Sequence, residues 1–237
     1  MLGVAFESVD GSFNKHTFND WNLKWYDVQI NFPKAKTHYV NIPGADGVID
    51  LTKALIEDVR YTNRTIIFSF DYLGDFYKWH MIASEIANSI HGQQMKIILD
   101  TDMSYYYLGR VSIDTKKSNI ALGEITFNCD VEPYKYELMA SIDDWKWDPF
   151  NFETDVIREY RDLVVNGILE YNIIGNRMPY IPTFICSHPL KLEFYGAIYD
   201  LPAGQSKVLD VVMRQGENIL KFIGNGTVSI DYKGGSL

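Results

Sequence analysis

Apolar residues recur at every second position through much of this chain. Ile66, Phe68 and Phe70 alternate with Thr65, Ile67 and Ser69. Leu190, Leu192 and Phe194 alternate with Lys191 and Glu193, and Val228, Ile230 and Tyr232 with Ser229 and Asp231. Successive side chains of a strand point to opposite faces, so this period builds strands with one face on a core. Turn signals punctuate the runs at Asp46-Gly47, Gly175-Asn176, Gly204-Gln205 and Gly224-Asn225-Gly226; the last is read as a hairpin turn. Aromatics make up 14% of the chain, an enrichment that suits both pleated sheets and interfaces.

One segment breaks the period of two. Trp79, Ile82, Ala83, Ile86 and Ile90 form a single apolar stripe at helical spacing, which predicts a helix over residues 76–90. Asp75 is the expected N-cap and Gly92 the expected C-terminal stop. Leu51 to Ile56 is read as extended. After Pro133 the texture changes. Asp143-Asp144-Trp145-Lys146-Trp147-Asp148-Pro149-Phe150 suits neither a helix nor a central strand. Residues 133–150 are therefore read as a connection pinned by Trp145 and Trp147. It divides a β-rich domain with one helix (1–143) from a second domain (144–237). From residue 160 to 233 there are six to eight short strand candidates and no helix, the pattern of a β-sandwich.

Chemistry is sparse. The formal net charge of −9 disfavours binding to a phosphate backbone. No run of apolar residues is long enough to cross a bilayer as a helix, and Met1 to Glu7 lacks the basic and apolar regions of a signal peptide. Cys129 and Cys186 lie far apart in apolar runs and read as buried free thiols; no zinc spacing exists. No two of the five histidines share a metal-binding spacing, and His91 is expected to meet the last carbonyls of the helix. Asp100 and Asp102 could be a carboxylate pair for glycoside hydrolysis, but their place between two apolar runs reads as a turn. Nucleophile elbow, phosphate loop and dinucleotide fingerprint are all missing, so neither catalysis nor a cofactor nor a metal is expected. Tyr171, Phe184, Tyr195 and Tyr199 are the aromatics that could stack on a sugar. A carbohydrate-binding sandwich without a scaffold role is the alternative reading.

The segment Asn41-Ile42-Pro43-Gly44-Ala45-Asp46-Gly47 is more informative. Pro43-Gly44 suits the centre of a type II turn, because Pro fixes the first φ and Gly accepts a positive φ at the second. Asp46-Gly47 suits another tight turn. Behind it, Val59 and Tyr61 have one parity and Ile66, Phe68 and Phe70 the other. A bulge near Asn63-Arg64 would reconcile them and would leave Arg64 either solvated, or paired with a carboxylate or a neighbouring subunit.

Together with other strings, this segment resembles the distal tail (Dit) family of long-tailed phages along nearly the whole chain. The ordered set is Asn41 to Gly47 with Asp50-Leu51-Thr52; Val59 to Arg64; Trp79 before Asn88-Ser89-Ile90-His91-Gly92; Tyr106-Tyr107-Leu108-Gly109-Arg110; and Cys129 before Pro133-Tyr134. Trp145 to Glu153, Gln215-Gly216-Glu217-Asn218 and Gly224 to Tyr232 complete it. The resemblance implies an N-terminal sheet domain that forms a hexameric ring and a C-terminal sandwich like galectins or carbohydrate-binding modules. It implies a place in the virion tail tip, assembled in the bacterial host cytoplasm. The partners it implies are other copies, the tail tube protein, and a tail-associated lysin or fibre protein. No nucleic acid and no membrane insertion are implied. Pro43, Gly44, Asp46, Gly47, Arg64, Arg110, Trp145 and Trp147 are the residues it marks for assembly. The lack of a long insertion after residue 160 implies the compact form, without an extra arm for receptor-binding proteins.

Overall fold

A computed structural model describes residues 2–54, 58–118, 123–143 and 160–237. Strands dominate it. The chain divides into two compact units: Met1–Asp102 with Tyr106–Lys135 and Leu237, and Met103–Tyr105 with Tyr136–Ser236.

The first unit begins with β1 (Val4–Ser8), β2 (Asn14–His16), a five-residue helix α1 (Thr17–Trp21) and β3 (Leu23–Ile30). Then come β4 (Tyr39–Val40), β5 (Ile49–Asp50), β6 (Arg64–Tyr72), a 3-10 turn (Phe76–Lys78) and α2 (Trp79–Ile90). It continues with β7 (Gln94–Leu99) and the long β8 (Tyr105–Ser118) and β9 (Gly123–Glu137). The main sheet runs β2-β1-β7-β8-β9-β6-β3. Phe6 on β1 lies 5.7 Å from the ring of Phe127 on β9 and 6.4 Å from that of Phe68 on β6. A flat sheet with strands about 4.8 Å apart would separate β1 from β6 by roughly 19 Å. The sheet therefore curls over on itself and closes a core that its own strands line.

The predicted helix appears as the 3-10 turn followed by α2. Trp79, Ala83, Ile86 and Ile90 are its buried residues and join the core of the sheet. A twelve-residue helix is marginal alone and persists here by burying that stripe. The Asp75 carboxylate accepts from the Tyr77 amide at 3.0 Å and so caps the 3-10 turn. Gly92 takes φ 75° just past the end of α2. His91 meets the last turn of α2 through its backbone, its N–H donating to Ala87 O at 3.1 Å, while its ring turns away and accepts at Nδ1 from the Ile113 amide at 2.9 Å. The short α1 was not anticipated; His16 caps it through Nδ1, which accepts from the Asn19 amide at 3.2 Å.

Two local expectations are corrected. No bulge sits at Asn63-Arg64. Strand β6 starts at Arg64 and pairs with β9 in unbroken register from Arg64↔Val131 to Tyr72↔Gly123. The shift of register lies in β3, between Trp25 and Asp27. And Thr52 to Ala54 form a turn closed by Ala54 N to Leu51 O at 3.0 Å, where extended chain was expected.

The second unit contains β10 (Leu163–Gly175), β11 (Thr183–Cys186), β12 (Leu190–Phe194), β13 (Ala197–Leu201), β14 (Gly204–Lys207), β15 (Gly216–Asp231) and β16 (Gly235–Ser236). Six of these strands join through β15. One edge of β15 pairs with β10 over thirteen residues, from Leu163↔Val228 to Gly175↔Gly216. The other edge pairs with β12 at Lys221 to Ile223 and with β11 at Val228 to Asp231. Gly224-Asn225-Gly226 lies at this hand-over, inside a continuous strand, and is not the hairpin turn expected. Gly224 and Gly226 have φ 138° and 155°. A Cβ on Gly224 would stand 2.8 Å from Leu190 Cδ2, and one on Gly226 2.9 Å from Ser187 Oγ. The glycines thus let the chain joining β11 to β12 cross close over the strand.

Candidate assembly surface

Strands β3 and β6 are neighbours, yet 33 residues separate the end of one from the start of the other. That excursion is a two-stranded ribbon. Asn31 N donates to Thr65 O at 3.1 Å, Thr62 N to Lys34 O at 2.9 Å and Lys36 N to Arg60 O at 2.7 Å. Further out Leu51 N donates to His38 O at 2.8 Å, and β4 pairs with β5 through Tyr39↔Asp50 and Val40↔Ile49. The tip is the turn read from sequence. Ala45 N donates to Ile42 O at 3.1 Å across Pro43-Gly44, and Gly44 takes φ 84°. Gly47, beside Asp46, takes φ 79°.

Every residue from Lys34 to Leu51 is exposed. Among them are Tyr39, Val40, Ile42, Val48, Ile49 and Leu51, and Phe32 at the base is 80% exposed. Ten residues of strand at about 3.3 Å each give the ribbon a reach of roughly 30 Å. A groove of about 460 Å³ runs beside its middle, lined by residues such as Lys36, His38, Leu51 and Arg60.

The residues marked from sequence fall in different places. Pro43, Gly44, Asp46 and Gly47 form the tip of the ribbon. Arg64 is at its base, but only 4% exposed and in phase with Ile66, Phe68 and Phe70, so it faces the core. Its guanidinium stacks 4.8 Å over the Tyr107 ring, while Nε and Nη2 have no hydrogen-bond partner. Burial pulls the guanidinium below its ordinary pKa range, opposed by the field of Tyr107. Arg110 stands elsewhere, donating from Nη1 to Gly92 O behind α2. Trp145 and Trp147 lie outside the described residues.

Sequence reasoning missed Asn218. This side chain is fully buried; its Nδ2 meets Arg214 O at 2.8 Å, Gly216 O at 2.9 Å and Ile173 O at 3.2 Å, and its Oδ1 accepts from Arg214 N at 3.0 Å. The sequence signal, Gln215-Gly216-Glu217-Asn218, carried the resemblance but gave no hint of burial.

The candidate carboxylate pair is fully engaged elsewhere. Asp100 accepts from Gly3 N at 2.8 Å and contacts His16 Nε2 at 3.1 Å. Asp102 pairs with Lys135 at 2.6 Å. Among the described residues no group of three or more His, Cys, Asp or Glu could hold a metal. Cys129 and Cys186 are buried and free, and burial pushes both thiols above their ordinary range. Of the four aromatics weighed for a sugar, Phe184 is fully buried, Tyr171 and Tyr199 are half-buried and Tyr195 is 75% exposed. Tyr195 and Gly196, at φ 47° and 81°, form the tight turn between β12 and β13. Among the described residues no helix is long and apolar enough to cross a membrane.

No family model matches the sequence, and no curated protein matches it significantly. The fold has a match among solved structures. It superposes on the Dit protein of phage SPP1, described as a paradigm of the hub of the adsorption apparatus in phages that infect Gram-positive bacteria. The TM-score is 0.62 at 10% identity, and the match covers 100% of both chains. The chain therefore has the fold of a phage distal tail protein over its whole length.

Proposed function

We propose that the chain is a structural subunit of the tail-tip hub of a long-tailed, non-contractile phage or prophage. Six copies form a ring that joins the tail tube to a tail-associated lysin or fibre protein. The protein belongs to the virion and is assembled in the bacterial host cytoplasm. Residues 1–143 supply the ring, residues 144–237 form the C-terminal sandwich domain, and the ribbon tip at Pro43, Gly44, Asp46 and Gly47 contributes to assembly. Catalysis has no part in this reading.

The observation that carries it is the full-length likeness to a hub protein, with both chains covered end to end. The exposed apolar ribbon adds to it, since a chain that works alone gains nothing from keeping such a surface in water. Gold-labelled antibody against the chain tests the reading on particles of the phage that encodes it. Label at the far end of the tail is expected; particles that carry no label would contradict it.

A further inference from the structure

We propose that one face of the ribbon shaft is a binding site for a small phosphate ester, with Lys36 and Arg60 as its cationic clamp. The proposal goes beyond the hub reading and does not depend on it.

The register of the shaft sets like charges face to face. Ala35 and Tyr61 form an antiparallel bridge, flanked by Thr62 N to Lys34 O at 2.9 Å and Lys36 N to Arg60 O at 2.7 Å. Lys36 therefore stands directly opposite Arg60, and Lys34 opposite Thr62, all four on one side of the ribbon. Like charges directly opposite one another destabilise a strand pair. A neighbouring carboxylate would relieve this, but among the described residues Lys34, Lys36 and Arg60 form no ion pair. An anion held between Lys36 and Arg60 turns the repulsion into attraction.

The groove beside the shaft gives that anion room. It measures about 460 Å³ and is lined by Lys36, His38, Asp58 and Arg60, with Leu51 as an apolar wall. Sites for small organic ligands run from about 300 to 1,000 Å³. Two cations match a phosphate monoester, which carries a charge of about −1.5 to −2 at neutral pH and three acceptor oxygens. Arginine meets such a group with a planar fork and lysine with a point charge. A carboxylate, with a single charge, leaves one of the two cations unmatched. Asp58 narrows the class further. Its Oδ1 accepts from Val59 N at 2.8 Å, and among the described residues no cation pairs with it. Its remaining lone pairs accept from a hydroxyl and repel a second phosphate. The ligand is thus a sugar or polyol monophosphate, its phosphate on Lys36 and Arg60 and a hydroxyl towards Asp58.

The test titrates the full-length protein with glycerol phosphate and with inorganic phosphate by calorimetry, at an ionic strength held constant with chloride. Saturable binding is expected for both, tighter for the ester. Lys36→Gln and Arg60→Gln each remove a charged partner and should weaken binding by about ten-fold or more. Neither side chain is buried, so unfolding midpoints without ligand should stay at or above that of the wild type. General salting-out by phosphate acts on wild type and variants alike, so only the difference between them reports the site. Asp58→Asn keeps the acceptor for Val59 N and should reduce the preference for the ester. A wild type without saturable binding overturns the site, as do Gln variants that bind as well as wild type. Equal affinity for glycerol phosphate and inorganic phosphate overturns the assignment to an ester. None of these results bears on the hub reading, which antibody labelling of the tail decides separately.

Discussion

Arg64 shows how one residue can mislead when read in sequence. Its charge suggests solvent or a partner subunit, but its parity within β6 places it in the row of Ile66, Phe68 and Phe70. The guanidinium is left with the face of Tyr107 and with two nitrogens unbonded. A buried cation without an acceptor is costly, and an apolar side chain of similar length often does as well or better. Arg64→Met is therefore expected to leave the unfolding midpoint unchanged or raise it. Arg64→Ala loses the stacking and opens a void, at about 2–3 kcal/mol. Denaturant titration of the two variants checks this; a Met variant less stable than the Ala variant would contradict it. Asp10 is a second case. Its carboxylate accepts from Ser8 Oγ, Ser12 Oγ and Ser12 N in the loop between β1 and β2. These bonds, led by the one from Ser8, lower its pKa to about 2. A carboxylate depressed in the folded state contributes above its unfolded value of about 3.9, and the contribution is lost as pH falls through the folded value. Carboxyl NMR shifts of Asp10 should titrate near 2. A midpoint at the ordinary carboxylate value would show that the loop is not closed.

Elements differ in how much of them their own residues determine. The stripe of α2, the alternation of β6 and β12, and the Pro43-Gly44 turn were all legible, because each follows from spacing within a few residues. The ribbon was not. Its rungs join Lys36 to Arg60 and Lys34 to Thr62, pairs that no local period announces, and its exposed apolar residues look like any other strand. The run of β15 was hidden for a related reason. Two glycines in three residues read as a turn, but β10 pairs straight past them, and β11 and β12 take up the two halves of the other edge. Hydrogen exchange can rank these elements. In the isolated chain the amides of β4 and β5 should exchange far faster than those of β6, whose alternate residues are buried. Protection of β4 and β5 equal to that of β6 in a monomer would show that the ribbon is covered by its own chain.

At the scale of the whole molecule, alternation along the strands was enough to indicate a mostly β chain with one substantial helix. The purpose of that fold was not written in any catalytic group, because the function proposed is mechanical. It depends on surfaces that meet other surfaces, and these emerge only when distant segments are placed together. The chain has the length and fold of an SPP1-type hub protein while sharing 10% of its residues. The proposed structural role accommodates such divergence, because volume-conserving apolar changes keep a core filled. Negative-stain imaging of the purified full-length chain tests the central claim most directly. Six-fold rings with a central opening are the expected result; single particles the size of one chain, at concentrations well above those of the cell, would contradict it.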